Sequence, residues 1–148
     1  MSFDEHGVSG ADVYLTRTAA GGYVPANYED PVTLSHSMDA LGTVSIAWDE
    51  SGDFKTNLEQ IITQKYIALY PVGQEAWTEF RRTGYPKVFP VVVNESSGGS
   101  VDTNIQIRRL PYPESEYNTN RTELDKGITL LGGVDNPGVR LWWDVPNK

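Results

Sequence analysis

Between residues 16 and 56 the chain runs for about forty residues without a sustained helical or strand period, apart from a short apolar stretch over 34–41. This is not the composition of a solvated linker, because Tyr23, Pro25, Tyr28, Pro31, Trp48 and Phe54 all fall within it. A long structureless stretch is unusual inside a self-contained domain, so these side chains are expected to cover a surface that the sequence does not itself supply. The chain therefore reads as part of a larger protein.

Periodic segments lie on the C-terminal side of that stretch. Over 57–69, Leu58, Ile61, Ile62, Ile67 and Leu69 fall largely on one side of a helix and Glu59, Gln60, Thr63 and Gln64 on another. Pro71 and Gly73 should end or kink this helix, since proline lacks the amide donor and disfavours a helical predecessor. A second helix is expected from Gln74 to about Arg82, with Ala76, Trp77 and Phe80 forming one apolar stripe and Gly84-Tyr85-Pro86 stopping it. A third begins at Asn120, where Glu123 suggests a capping box and Leu124, Ile128 and Leu131 repeat at helical spacing before Gly132-Gly133. One or two helical turns over 9–15, with Ser9 as N-cap, are a further expectation. Strand signals are brief: 88–93 is β-branched but broken by Pro90, and 104–108 alternates Ile105 and Ile107 with polar neighbours. A small hairpin around the flexible turn at 95–100 would suit them. The fold class expected is thus mainly α with extensive irregular loops and a small β hairpin.

Composition narrows function. The 148 residues carry 12 Lys and Arg against 20 Asp and Glu, a net charge of −8, which argues against a nucleic-acid reader or a binder of anionic membranes. Without cysteine there is no disulfide, thiolate or Cys-ligated zinc chemistry. No window approaches the ~18 consecutive apolar residues of a membrane span, and Met1-Ser2-Phe3-Asp4-Glu5-His6 has neither the basic nor the apolar region of a signal peptide.

Catalytic constellations are sought with little return. Asp49, Glu50 and Asp53 superficially resemble a calcium loop, but Phe54 and Gln60 occupy the positions that require glycine and glutamate, so a turn leading into the next helix is expected. His6 and His36 lack companions at ligand spacing, and neither a metal nor a cofactor is expected. No carboxyl pair is singled out for glycoside hydrolysis, and no nucleophile elbow or phosphate loop is present. Arg81-Arg82 and Arg108-Arg109 are expected to neutralise carboxylates or bond to loop carbonyls. The 16 aromatic residues among many amides and carboxylates are the chemistry of sugar recognition, where a flat ring covers the C–H face of a pyranose. Trp77 and Phe80 sit at helical spacing and read as core. Trp48, Tyr23 and Tyr28 lie in loop-like sequence and are the candidates for carbohydrate contact, with a core role as the alternative.

Taken in order, Ile61-Ile62-Thr63-Gln64-Lys65-Tyr66-Ile67-Ala68-Leu69-Tyr70, Gly73-Gln74-Glu75-Ala76-Trp77 and Arg81-Arg82-Thr83-Gly84-Tyr85-Pro86 resemble the C-terminal part of the SusD/RagB-type outer-membrane lipoproteins of Bacteroidota. Arg108-Arg109-Leu110-Pro111-Tyr112-Pro113, Glu116-Tyr117-Asn118 and the ending Leu141-Trp142-Trp143-Asp144 fit the same family, as does the opening 7–15. The resemblance implies the C-terminal portion of a longer, tetratricopeptide-containing fold. It also implies that residues 1–148 form a single segment, with the N-terminal helical repeats and the lipoprotein signal lying outside it. The function implied is surface capture of glycans, without catalysis, in partnership with a SusC-like TonB-dependent transporter. The location implied is the surface of the outer membrane, reached through a lipid anchor of the full-length protein. The competing readings are a fragment of a carbohydrate-active hydrolase and a scaffold remnant without function.

Overall fold

The computed structural model describes residues 6–21, 24–96 and 100–144. Among the described residues five α-helices follow one another: α1 Ala11–Leu15, α2 Phe54–Ala68, α3 Gly73–Thr83, α4 Glu114–Thr119 and α5 Arg121–Leu130. Single 3-10 turns form at Ala19–Gly21 and Leu34–His36. The chain divides between Phe89 and Pro90 into two compact units, with α1 to α3 in the first and α4 and α5 in the second.

In the first unit, α2 begins three residues earlier than its periodicity suggests because Asp53 caps it, accepting the Thr56 amide at 2.8 Å. The acidic turn ahead of it is an Asx turn: Asp49 accepts the Ser51 amide at 2.9 Å and the Ser51 hydroxyl at 2.7 Å. Pro71 lies in the break between α2 and α3, and α3 starts at Gly73, one residue before the Gln74 expected. Gly84 then ends α3 in the left-handed region at φ 78°, and its amide donates to the Phe80 carbonyl at 2.8 Å.

The faces of α2 are a correction to the sequence reading. Its buried residues are Glu59, Gln60 and Ile62, whereas Ile61 and Ile67 are 52% and 58% exposed. Phe54, Ile61 and Ala68, seven residues apart, lie along one exposed line. Polar burial is viable here because each group has a partner. The Gln60 amide donates to the Ala47 and Ser45 carbonyls at 2.7 and 3.2 Å and its oxygen accepts the Asp49 amide at 3.4 Å, while Glu59 lies 3.8 Å from Lys87. The aperiodic segment is thus hung on α2 by a neutral amide.

In the second unit Leu124 is the buried apolar residue of α5. The expected capping box does not form. Asn120 turns its amide back to Glu116 at 2.9 Å, and Glu123 accepts from Lys126 at 2.7 Å instead. Helix α4, for which no periodicity is legible, occupies the turn before it, and competition from Glu116 explains the lost cap. Gly127 faces the Tyr112 ring so closely that a Cβ would sit 2.7 Å from the phenol oxygen. Gly132 and Gly133, at φ 93° and 91°, close α5 as expected. The Ser9 cap is also corrected: Gly10 takes that position at φ 96°, with no side-chain bond.

No strand forms among the described residues, so the expected hairpin is absent there. Where its flanks approach, the Val91 amide donates to the Thr103 carbonyl at 3.2 Å. Pro90 cannot donate, and the Asp102 carboxylate captures the amides of Asn104 and Ile105 at 2.8 and 2.9 Å, which removes the donors a ladder needs. Gln106 adopts φ 56° immediately after, a further break in extended geometry. One isolated bridge, Tyr28 with Met38, lies elsewhere in the aperiodic stretch.

Candidate functional site

The aperiodic segment presents its aromatics from backbone that is locked locally. Trp48 is 48% exposed. Its neighbours on either side are held, Ala47 donating to the Arg17 carbonyl at 2.7 Å and Asp49 donating to Gln60. An indole so presented can offer a ring face without loop motion.

Tyr28 is 41% exposed and is fixed at three points. Its backbone exchanges two 2.9 Å bonds with Met38, its ring tilts against Phe89 at 6.1 Å between centroids, and its hydroxyl donates to Asp30 at 3.1 Å. Asp30 is a hub as well, accepting the amides of Thr33 and Val32 at 2.6 and 2.8 Å. Those backbone donors, Thr33 foremost, hold its carboxyl below the usual aspartate range. The bond to Asp30, reinforced by its charge, pushes the Tyr28 phenol up. With its proton committed, Tyr28 has chiefly its ring to offer a ligand. Tyr23, the remaining candidate, lies outside the described residues. Trp48 and Tyr28 are therefore presented by separate devices, one on α2 and one on the Asp30 hub.

Trp77, expected in the core, is half-buried, with the Arg81 guanidinium 3.6 Å above its ring. Arg82 forms a two-pronged pair with Glu79 at 2.7 and 3.1 Å. Arg82 thus neutralises a carboxylate, as expected, while Arg81 covers a ring, a role the sequence reading did not include.

The second basic pair builds the most buried polar cluster. Arg108 grips Asp144 through two bonds of 2.6 and 2.7 Å, and Arg140 adds a third at 2.7 Å. Asp144 is 1% exposed. Burial by itself would raise its pKa, but the two guanidinium groups outweigh it and the carboxyl titrates below the usual range. Next to it, Arg109 pairs with Asp135, which also accepts the Tyr117 hydroxyl at 2.7 Å and the Tyr112 amide at 3.0 Å. Burial again opposes ionisation of Asp135, and these donors again lower its pKa. Sequence identified the arginines as carboxylate partners, yet Asp135 and Asp144, 26 and 36 residues away, carried no local signal.

Such carboxylates are committed acceptors in guanidinium pairs, which suits a rigid corner better than acid–base work. Among the described residues no group of three or more His, Asp or Glu could hold a metal ion, and no helix is long and apolar enough to cross a membrane.

The family model described as SusD-like, Susd and RagB outer membrane lipoprotein, matches residues 1–144. No curated protein matches the chain. Among solved structures, a chitin-binding SusD homologue from Flavobacterium johnsoniae is 44% identical with a TM-score of 0.88, over 99% of this chain and 30% of its own. A SusD homologue from Bacteroides thetaiotaomicron is 44% identical with a TM-score of 0.85, over 99% of this chain and 31% of its own. One from Bacteroides vulgatus is 42% identical with a TM-score of 0.84, over 97% of this chain and 28% of its own. The chain thus spans about a third or less of the length of these relatives.

Proposed function

Because this chain belongs to the SusD-like family of outer membrane lipoproteins, we propose that it is part of a surface glycan-binding protein working with a SusC-like TonB-dependent transporter in oligosaccharide or polysaccharide uptake. The observation that carries this is the family match over 1–144, joined to 44% identity with a relative that is chitin-binding. The chain acts as a binding module without catalysis, and its buried carboxylates serve as ion-pair partners. The location that goes with this reading is the outer-membrane surface, reached through a lipid anchor of the full-length protein.

For glycan contact we assign Trp48 as a stacking platform and Tyr28 as a second, with Tyr23 as their neighbour in sequence. The support is partial exposure on locked backbone, the form in which an aromatic ring stacks on a sugar with little ordering cost. Titration calorimetry with chitin oligosaccharides tests this. Trp48→Ala should abolish most of the heat while leaving the melting curve nearly unchanged. Equal loss of stability and binding would make Trp48 a packing residue, and reducing-sugar release from the same oligosaccharides would favour a hydrolase.

A further inference from the structure

Between Arg17 and Lys55 the chain carries six carboxylates, Glu29, Asp30, Asp39, Asp49, Glu50 and Asp53, and neither lysine nor arginine. This is the segment that bears the candidate sugar platforms, and two of the rings are each followed directly by a pair of acids: Tyr28-Glu29-Asp30 and Trp48-Asp49-Glu50. Glu29, Asp49 and Glu50 are exposed, as the two rings are. Asp30 sits at the hydroxyl edge of the Tyr28 ring, its Oδ2 accepting the phenol at 3.1 Å.

The charge of these carboxylates is kept rather than cancelled. Asp30 is served by the Thr33 and Val32 amides, Asp39 by the Asn27 side-chain amide at 2.9 Å, Asp49 by Ser51 and Asp53 by the Thr56 amide. Such neutral donors favour the ionised carboxyl without bringing positive charge, and they hold Asp30, Asp49 and Asp53 below the usual aspartate range. His36 approaches Asp30 at 4.0 Å and Lys55 acts on Asp53. Other bases of the unit are directed elsewhere: Arg17 lies over the Tyr14 ring at 5.3 Å, Lys65 and Arg82 pair with Glu79, and Lys87 pairs with Glu59.

A ring with uncancelled carboxylates next to it discriminates among sugars by charge. A neutral pyranose gains the ring face alone, and a uronate or sulfated unit also meets like charge at short range. A sugar with a free amine offers its C–H face to the ring and an ammonium to the carboxylates, and the ring quadrupole attracts the same cation. The carboxylates would not make a site by themselves; next to an exposed indole and phenol they set its sign.

We propose that Glu29, Asp30, Asp49 and Glu50 are specificity-determining residues that direct the Tyr28 and Trp48 platforms to amino-sugar glycans with free amines, in preference to N-acetylated and acidic ones. The proposal rests on the glycan reading above and deepens it.

Titration calorimetry at about pH 6, where carboxylates are ionised and a sugar amine is largely protonated, tests it with three oligosaccharides of equal length: N-acetylglucosamine, its fully de-N-acetylated form and galacturonate. At low salt the amine form should bind about tenfold tighter than the N-acetylated one, and the ratio should shrink to about twofold near ~0.5 M salt, since exposed charges are screened there. Galacturonate should give no heat. Glu29→Gln with Glu50→Gln, at exposed positions that the fold tolerates, should bring the two affinities together. Asp30→Asn, which keeps a carbonyl acceptor for the two amides, should narrow the gap further.

A preference unmoved by salt or by all of these substitutions would overturn the proposal, as would one that survives Trp48→Ala with Tyr28→Ala. Equal binding of an oligolysine of the same charge would also overturn it, by showing attraction of any cation. N-acetylated binding that depends on Trp48 but comes without a preference for the amine form would refute charge selection and leave the glycan reading standing. No heat from any of the oligosaccharides would refute both.

Discussion

The two units face the same problem and solve it with different chemistry. Each must fix irregular backbone without a strand ladder. The first uses a neutral amide, Gln60 on α2, to take up the carbonyls of Ser45 and Ala47, together with surface Asx turns at Asp30, Asp49 and Asp53. The second uses buried guanidinium–carboxylate pairs, Arg108 with Asp144 and Arg109 with Asp135. A neutral amide costs little to desolvate and is indifferent to pH, whereas a buried ion pair is stringent in geometry and unforgiving when halved. The loop carrying the candidate sugar platforms is thus tied by the milder device, and the corner that holds 108–144 together by the stricter one.

The sharpest way to break this contrast is Asp144→Ala. It leaves Arg108, itself 3% exposed, without its buried counter-ion, and should cost about 3–5 kcal/mol in denaturant unfolding. A loss below 1 kcal/mol would show that the corner does not depend on the pair. Gln60→Ala should cost less, about 1–3 kcal/mol, since it orphans two carbonyls that water can partly reach. Its distinguishing sign is local: amide exchange should accelerate near residues 45–49 while α3 stays protected.

Acid sharpens the comparison further. Asp135 and Asp144 have pKa values depressed below the ordinary 3.8, so their stabilisation is full above that value and is lost as pH falls through the depressed ones. Glu59, beside Gln60, is shifted the other way, its pKa raised by burial that Lys87 only partly offsets, so protonating it relieves a local cost, although Asp30, Asp49, Asp53 and Glu79 of the same unit are lowered like the second unit's pairs. Hydrogen exchange at about pH 3 should show amides around 108–112 losing protection before those tied to Gln60. The reverse order would undo the contrast. The smallest effect is expected at Ile61→Asp, within ~0.5 kcal/mol in this chain, because its side chain lies on the exposed line of α2.

Much of the helical content was legible because its signals are local. Asp53, Pro71, Gly84 and Gly132-Gly133 mark boundaries through conformations that their own side chains, or lack of them, impose. Hydrophobic periodicity located α2 but misjudged its faces, since it assumes that apolar residues point into the same chain. That assumption fails when Gln60 and Glu59 find partners inside and Ile61 and Ile67 do not. The hairpin failed for a related reason: β-branched residues at 88–93 and Ile105 with Ile107 signal strand, yet Asp102 claims the ladder's donors at shorter range.

The candidate site divides in the same way. Trp48 and Tyr28 could be named as exposed loop aromatics from their setting, while the Asp30 hub and the Gln60 tether that present them join residues whose pairing no local pattern encodes. By itself the sequence determined the family, the C-terminal ends of the longer helices and the acidic net charge, because motifs, helix-ending glycines and prolines, and charge are properties of short segments or of composition. Only the tertiary structure decided which face of α2 is buried and which carboxylates Arg108 and Arg109 hold, since burial and ion pairing are set by what the folded chain brings near.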